Sequence, residues 1–403
     1  MNSDKTIGII LDGPYWSDAR VRNYSEQLLK RGWQLGILCF PSEVPSNADT
    51  ALYEHAHFHE VKPSTFIYKS SALAYELPFY HRWCSKQAKA FHEKYPCDLW
   101  HINDIRAGLP FIKFAKANGI KCVIDLHEIR PEIMRYYAYV NKFPNKYLIN
   151  LNKWKIGEKK CIEMADAAIV VTPTAQAYYE HNYHIAKAKF HVVPNSINQK
   201  FEHNGTSSGQ FHWAEKKKVM LYIGDTSERR GIQTAIEALP KILKAHPEAH
   251  LGVVGSSSYD PSLKAQVQAL NLQSNVTFTG WIDAGLFPEI ISKSALGTCL
   301  IHRNPHHDTT LANKLFQYAG MGIPQIVTNC PAQADFIQES QCGLVIPEKD
   351  PTAFATAVDT LLSNSTDSQK MGENGRNAVM SQYVWEKVAD RLVAAYHSLL
   401  SSN

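Results

Sequence analysis

Four polar residues, Thr310, Asn313, Lys314 and Gln317, recur at spacings of three or four, so a helix through them would gather one polar edge and one ammonium near its N-terminus. Unpaired backbone N–H groups and the positive end of the helix dipole favour an anion there, phosphate above all, and Lys314 adds a mobile charge. A capped amphipathic helix with a solvated polar face is the plainer alternative. A second pair, His127 and Glu128, stands where the apolar run 121–126 ends. In a doubly wound sheet the C-terminal end of a strand is where chemistry is placed, although a carboxylate there can also do no more than cap the next helix. His306, His307 and Asp308 are adjacent, but neighbours on one loop seldom complete a coordination sphere, so no metal site is expected. The 8 cysteines stand singly, without a paired spacing, as reduced and mostly buried thiols of a cytoplasmic protein would.

The elements that must position these groups follow from periodicity and punctuation. Thr309 and Thr310 are good N-cap residues, and Leu311, Leu315, Tyr318 and Ala319 form a buried stripe. The helix stops at Gly320 and Gly322, and a strand over 325–328 follows Pro324. Earlier in the chain, strands are expected at 6–11, 34–40, 98–102 and 121–126, separated by helices at 21–30 and 109–117. The alternation restarts with strands at 219–223, 251–254, 275–278 and 295–301. The polar, aperiodic stretch 200–218 between these halves reads as a linker. The loop after the first strand lacks GxGxxG, which disfavours a dinucleotide-dependent oxidoreductase. Within it Asp18 and Arg20 read plainly as a structural ion pair.

A chain of 403 residues is too long for one ordinary core, and two domains are expected. A net charge of +4 is too mild to argue for nucleic acid by itself and no nucleic-acid motif appears, so no nucleic-acid partner is expected. No uncharged apolar stretch approaches 18 residues, and the opening apolar run is too short for a signal-peptide core. From 135 to 160 basic residues interleave with Tyr136, Tyr137, Tyr139, Phe143, Tyr147 and Trp154. That is the pattern of a surface resting on lipid headgroups, or equally of surface helices with their aromatics turned into the core.

Six segments, taken in order, resemble the retaining glycosyltransferases of family 4: DGPYWSDARV, VIDLHE, PNSIN, YIGDTSERRGI, NKLFQYAGMGIP and the closing stretch from Met371. The resemblance implies an α/β GT-B fold, two facing Rossmann-like doubly wound domains with a C-terminal helix crossing back. The first domain, 1–199, would bind the acceptor, the second, 200–382, the nucleotide sugar, and 383–403 would form the returning helix. It implies transfer of a sugar, with retention, from a nucleotide-diphosphate sugar to a glycan or lipid-linked oligosaccharide. The setting would be bacterial surface-polysaccharide synthesis, with no cofactor and no metal, in the cytoplasm or peripherally at the inner face of the membrane through 135–160.

Residue by residue, the resemblance puts His127 across the cleft at the donor sugar, and Arg230 and Lys314 at the diphosphate. Gly224, Gly255, Trp281, Ile282, Thr309, Thr310, Leu311, Asn313 and Gln317 would complete the donor site. Gly13, Pro14, Asp18, Arg20, Asp104 and Glu128 would line the acceptor side. The chain departs from the family where two glutamates eight residues apart usually bracket the donor, since Thr309 and Gln317 stand there. Asp225 occupies a position that is basic in many relatives. The alternative is a degenerate, non-catalytic GT-B protein that binds a glycan or a partner.

Overall fold

The computed structural model describes residues 5–45, 48–201 and 209–401. Two compact units divide the chain: Met1–Pro194 with Val388–Asn403, and Asn195–Lys387. The first holds a seven-stranded sheet of β1 (Thr6–Pro14), β2 (Gln34–Phe40), β3 (Ala56–Glu60), β4 (Leu99–Asn103), β5 (Lys121–Leu126), β6 (Ala167–Val170) and β7 (Phe190–Val192), in the order β3-β2-β1-β4-β5-β6-β7. The second holds a six-stranded sheet of β8 (Lys218–Ile223), β9 (Ala249–Val254), β10 (Val276–Gly280), β11 (Leu296–Cys299), β12 (Gln325–Thr328) and β13 (Gly343–Ile346), in the order β10-β9-β8-β11-β12-β13. Neighbouring strands pair in parallel throughout both sheets. This is the expected α/β, doubly wound architecture.

Central strands such as β4 and β9 are buried along their whole length because helices cover both sheet faces, and apart from His101, Asn103 and His250, which are buried as polar residues, their sequences are apolar. The strand order reverses between β1 and β4 in one sheet and between β8 and β11 in the other. At such a switch point the loops leaving adjacent strands part, and a crevice opens outside the strand C-termini. The helix Trp385–Leu400 ends the fold, and its residues from Val388 onward belong to the first unit. There Tyr396 is fully buried and bonds His101 Nδ1 at 2.5 Å.

Three local expectations are corrected. Of the stretch read as a linker, 202–208 lie outside the described residues. Beyond them Phe211 is buried among Val219, Leu221 and Ile223, and the Trp213 ring packs on His250, so this segment belongs to the second core. The helix carrying Lys314 runs Asn313–Gly320 with Ala312 at its N-cap, not Thr309 or Thr310. Those two threonines close a separate short helix, Pro305–Thr309. Their hydroxyls donate back to the carbonyls of Pro305 and His306, an option Ser and Thr have instead of capping forward. Asp18 and Arg20 do not pair with each other. Asp18 caps the helix Ala19–Lys30 by accepting from Val21 N, and Arg20 turns inward to Asp125. Among the described residues no helix is long and apolar enough to cross a membrane.

Candidate active site in two units

At the β1/β4 switch point of the first unit lies a cavity of about 340 Å³, lined among others by Gly13, Pro14, Asp18, Asp104, His127 and Glu128. Every residue assigned to the acceptor side except Arg20 therefore meets there, together with His127. Arg20 lies beneath, buried, with its guanidinium on both Asp125 oxygens at 3.1–3.3 Å and on the carbonyls of Val193 and Pro194. Asp125 is the hub of this layer. His101 Nε2 and His127 Nε2 each stand 3.2 Å from its Oδ2. Burial alone would raise the Asp125 carboxyl, but Arg20, then His127 and the bond from His101, hold it well below the ordinary carboxylate range. His101 is kept neutral by its burial, so it donates from Nε2 to Asp125 and accepts at Nδ1 from Tyr396. His127 Nε2 thus faces an anion that is itself fixed from below, within ion-pair distance but without hydrogen-bond geometry to it.

Sequence reasoning missed Asp12, Arg106 and Arg130 in this cavity. Arg106 bonds the carboxylate and carbonyl of Asp12, and Arg130 bridges Asp104 and Glu128, the latter at 2.8 Å. Asp104, at φ 69°, caps the helix Ile105–Ala117 by accepting from Ile105 N at 2.6 Å. The N-cap of the following helix, Arg130–Met134, is Ile129 and not Glu128, whose partners include Arg130 and Tyr137 Oη. Only one signal for the two arginines was present in the sequence, their place just beyond strand ends; their partners are set by the fold.

In the second unit Gly224 follows β8 and Gly255 follows β9, and both glycines have positive φ, 128° and 122°. A Cβ on Gly255 would stand 2.0 Å from the Gly224 carbonyl oxygen, so the two strand ends touch backbone to backbone. The Lys314 side chain reaches this point: its Nζ would lie 3.4 Å from a Cβ on Gly224 and sits 3.6 Å from the centre of the Tyr222 ring. Lys314 is buried, and that burial, with Arg230 nearby, pushes its ammonium down to about 8. Arg230 ends the short turn Glu228–Arg230 and bonds Asp225 Oδ2 at 3.2 Å. Arg229, not singled out from the sequence, contacts the same oxygen at 3.5 Å and donates to His307 Nε2 at 2.8 Å. Burial pushes His307 down to about 3, so it is a neutral acceptor at Nε2 that donates from Nδ1 to the His302 carbonyl. His306 and Thr309 are buried, Asp308 pairs with Arg303, and Thr310 is turned onto the His306 carbonyl.

The remaining donor-side residues divide. Leu311 is buried in the core beside Leu315 and Phe316, Asn313 is exposed at the helix start, and Gln317 is half-buried one turn on. Trp281, by contrast, is 77 % exposed after the turn at Gly280, and Ile282 is half-buried on the core that holds Ile290 and Ile291.

Two parallel, doubly wound units with polar and cationic groups gathered at their switch points define a GT-B glycosyltransferase architecture. Comparison with known proteins agrees. Residues 18–201 match the family described as Glycosyltransferase Family 4, and residues 205–378 match Glycosyl transferases group 1. The chain belongs to the family 4 glycosyltransferases. It is 24 % identical over 252 residues to the spore coat protein SA of Bacillus subtilis, a match covering 59 % of this chain and 66 % of that one. To the alpha-D-kanosaminyltransferase of Streptomyces kanamyceticus it is 19 % identical, over 70 % of this chain and 71 % of the relative. A putative glycosyltransferase of Bacillus subtilis, YtcC, is matched at 27 % over 46 % of this chain, which spans just under half of that relative's length. Among solved structures, the sucrose-phosphate synthase of Thermosynechococcus elongatus superposes with a TM-score of 0.77 at 20 % identity, covering 99 % of this chain and 100 % of that one. Anabaena HepE in complex with UDP-glucose does so at 0.74 and 13 %, covering 98 % and 100 %.

Proposed function

We propose that this protein transfers a sugar, with retention and without a metal, from a nucleotide-diphosphate sugar bound by the second unit to a glycan or lipid-linked acceptor bound by the first. The observation that carries the reading is Lys314 reaching the glycine that follows β8, with Arg230 held on Asp225, the residue next to that glycine. Two cations there, with glycine backbone close at hand, suit a diphosphate. Charge neutralisation on a departing diphosphate is the main electrostatic demand of the transfer, and preorganised cations supply it without a bound ion.

In this reading His127 contacts the sugar and Gln317 the ribose. No side chain acts as a covalent nucleophile. The acceptor hydroxyl attacks on the face the diphosphate leaves, and a diphosphate oxygen takes its proton. The carboxylates at the first switch point, Asp18, Asp104 and Glu128, suit the hydroxyls of an acceptor sugar. HepE, with its UDP-glucose complex, supports a nucleotide-sugar donor, and similarity to a lipopolysaccharide core biosynthesis glycosyltransferase of Rhizobium meliloti, 23 % identical over 46 % of this chain, supports a place in surface-polysaccharide synthesis. A thermal-shift panel of nucleotide sugars tests the reading. The correct donor at 100 times its dissociation constant should stabilise the chain by about 2.7 kcal/mol. Stabilisation by none of them would favour a non-catalytic binding protein.

A further inference from the structure

A second cavity of the first unit, about 420 Å³, shares Arg106 and Arg130 with the switch-point cavity but has the opposite character. Its charged lining is Lys69, Arg106 and Arg130, with no carboxylate, and the rest of its wall includes Tyr68, Leu73, Met134, Tyr139 and Trp154. The switch-point cavity carries the carboxylates of Asp12, Asp18, Asp104 and Glu128. An anion is repelled there and attracted next door, whereas hydroxyls find acceptors among the carboxylates. The two arginines lie where these environments meet. Arg106 directs Nε and Nη2 to Asp12, leaving the rest of its five-donor fork for another acceptor.

The apolar wall continues onto the surface. Tyr68 is 53 % and Tyr139 44 % exposed, and on the same two segments Phe66 packs edge-on against Phe79 while Phe143 is 80 % and Tyr147 74 % exposed. Lys142 and Lys146 flank these last rings, with Lys146 over Tyr147. The sequence pattern of 135–160 is thereby divided. Trp154 is a core residue, and Lys155 is tied to Glu132 at 2.6 Å, but the aromatics before residue 148 form an outward face beside cations. Exposed aromatics of this number are unusual on a surface that meets only water.

We propose that the acceptor is a sugar carried on a lipid phosphate. Its sugar lies among the switch-point carboxylates, its phosphate against Lys69 and the Nη1 side of Arg106, with Arg130 held by Asp104, Glu128 and Tyr137 as part of the wall, and its hydrocarbon along Tyr68, Leu73, Met134 and Tyr139 toward the exposed aromatics. This rests on the glycosyltransferase reading and names the acceptor class within it. A free phosphate would use the cations and leave the apolar wall unused; a neutral glycan would use neither.

The test is calorimetric titration of the full chain with farnesyl phosphate, farnesol and inorganic phosphate. Beside wild type stand Lys69→Glu and Tyr139→Ser, both at exposed positions where folding is not at stake. The nucleotide sugar selected by the thermal-shift panel is titrated in parallel. Farnesyl phosphate should bind at least about tenfold more tightly than farnesol or inorganic phosphate. Lys69→Glu should weaken farnesyl phosphate about tenfold and leave farnesol unchanged, and Tyr139→Ser should weaken both lipids. Donor affinity should be the same in all three proteins. Equal affinity for inorganic and farnesyl phosphate, or indifference to both substitutions, overturns the proposal. Loss of donor binding in the variants would show a general disturbance and overturn the site assignment. A wild type that binds farnesyl phosphate but no nucleotide sugar would instead strike the parent reading.

Discussion

Lys314 offers the sharpest test of the donor site, because its burial makes its charge conditional. The ammonium is pushed from 10.5 down to about 8, first by burial and then by Arg230. A diphosphate against Nζ would reverse both causes, supplying a counter-charge where water was excluded. Restoring 10.5 from about 8 is worth about 3 kcal/mol of coupling between proton and ligand. The sign follows: below about 8 the lysine is already charged and binding is at full strength; above it the proton must be taken up first. Donor affinity should therefore fall about tenfold between pH 7 and 9. Titration at pH 8 in buffers of different ionisation heat should reveal uptake of about half a proton. Lys314→Met should bind weakly and with no such pH dependence. The free protein should become more stable as pH rises from about 8 toward 10.5, since the unfolded lysine binds more protons in that window. Flat affinity from pH 7 to 9 with no buffer-dependent heat, in a chain that still binds donor, would refute the phosphate assignment of Lys314.

Other outcomes follow from the same geometry. His127→Ala should lower turnover far more than nucleotide affinity, because a group touching only the sugar contributes as the transition state forms; parallel kinetics and titration check this. Asp125→Asn should cost about 3–5 kcal/mol in denaturant unfolding, since it leaves buried Arg20 without its counter-ion. Because the Asp125 carboxyl is held below its usual 3.8, that stability should be complete at neutral pH and lost only as pH falls below this value. Gln317→Glu should tighten donor binding and Gln317→Ala weaken it, each by about 1 kcal/mol, as measured by calorimetry; unchanged affinities in both would remove Gln317 from the ribose.

The parallel strands were legible because sheets covered on both faces require unbroken apolar runs, and β5 and β12 fall on the residues those runs marked. Edge strand β3 was not, since its sequence, AHFHE, sets only Ala56 and Phe58 among polar residues and is paired on one side by β2 alone. Thr309 and Thr310 look like caps in any window, and only the choice their hydroxyls make between forward amides and rear carbonyls decides where the helix begins. The glycine-ended loops and Lys314 could be found by spacing, whereas Arg106, Arg130 and Tyr222 acquire meaning only from strands far apart in sequence. His127 was visible, but the stack of Asp125, His101 and Tyr396 that it faces joins β4, β5 and the last helix, a conjunction no local pattern encodes.

Asp225 shows how a departure from the family can be absorbed. A carboxylate near a diphosphate site is unfavourable on its face, yet its oxygens are occupied: Oδ1 by Ser227 N, and Oδ2 by the Ser227 hydroxyl at 2.7 Å and the two arginines at 3.2–3.5 Å. These contacts hold its carboxyl below the ordinary range despite partial burial, so it is a fixed anion at neutral pH. One anion set against Arg229, Arg230 and Lys314 still leaves an excess of two positive charges when Lys314 is protonated. What Asp225 takes from the field it returns as order, because arginines tethered to a short turn lose less side-chain freedom when a ligand arrives. An acidic residue here is therefore compatible with the proposed phosphate site so long as Lys314 keeps its proton, which ties the consequence of this departure to the same pH window near 8 in which donor binding is expected to weaken.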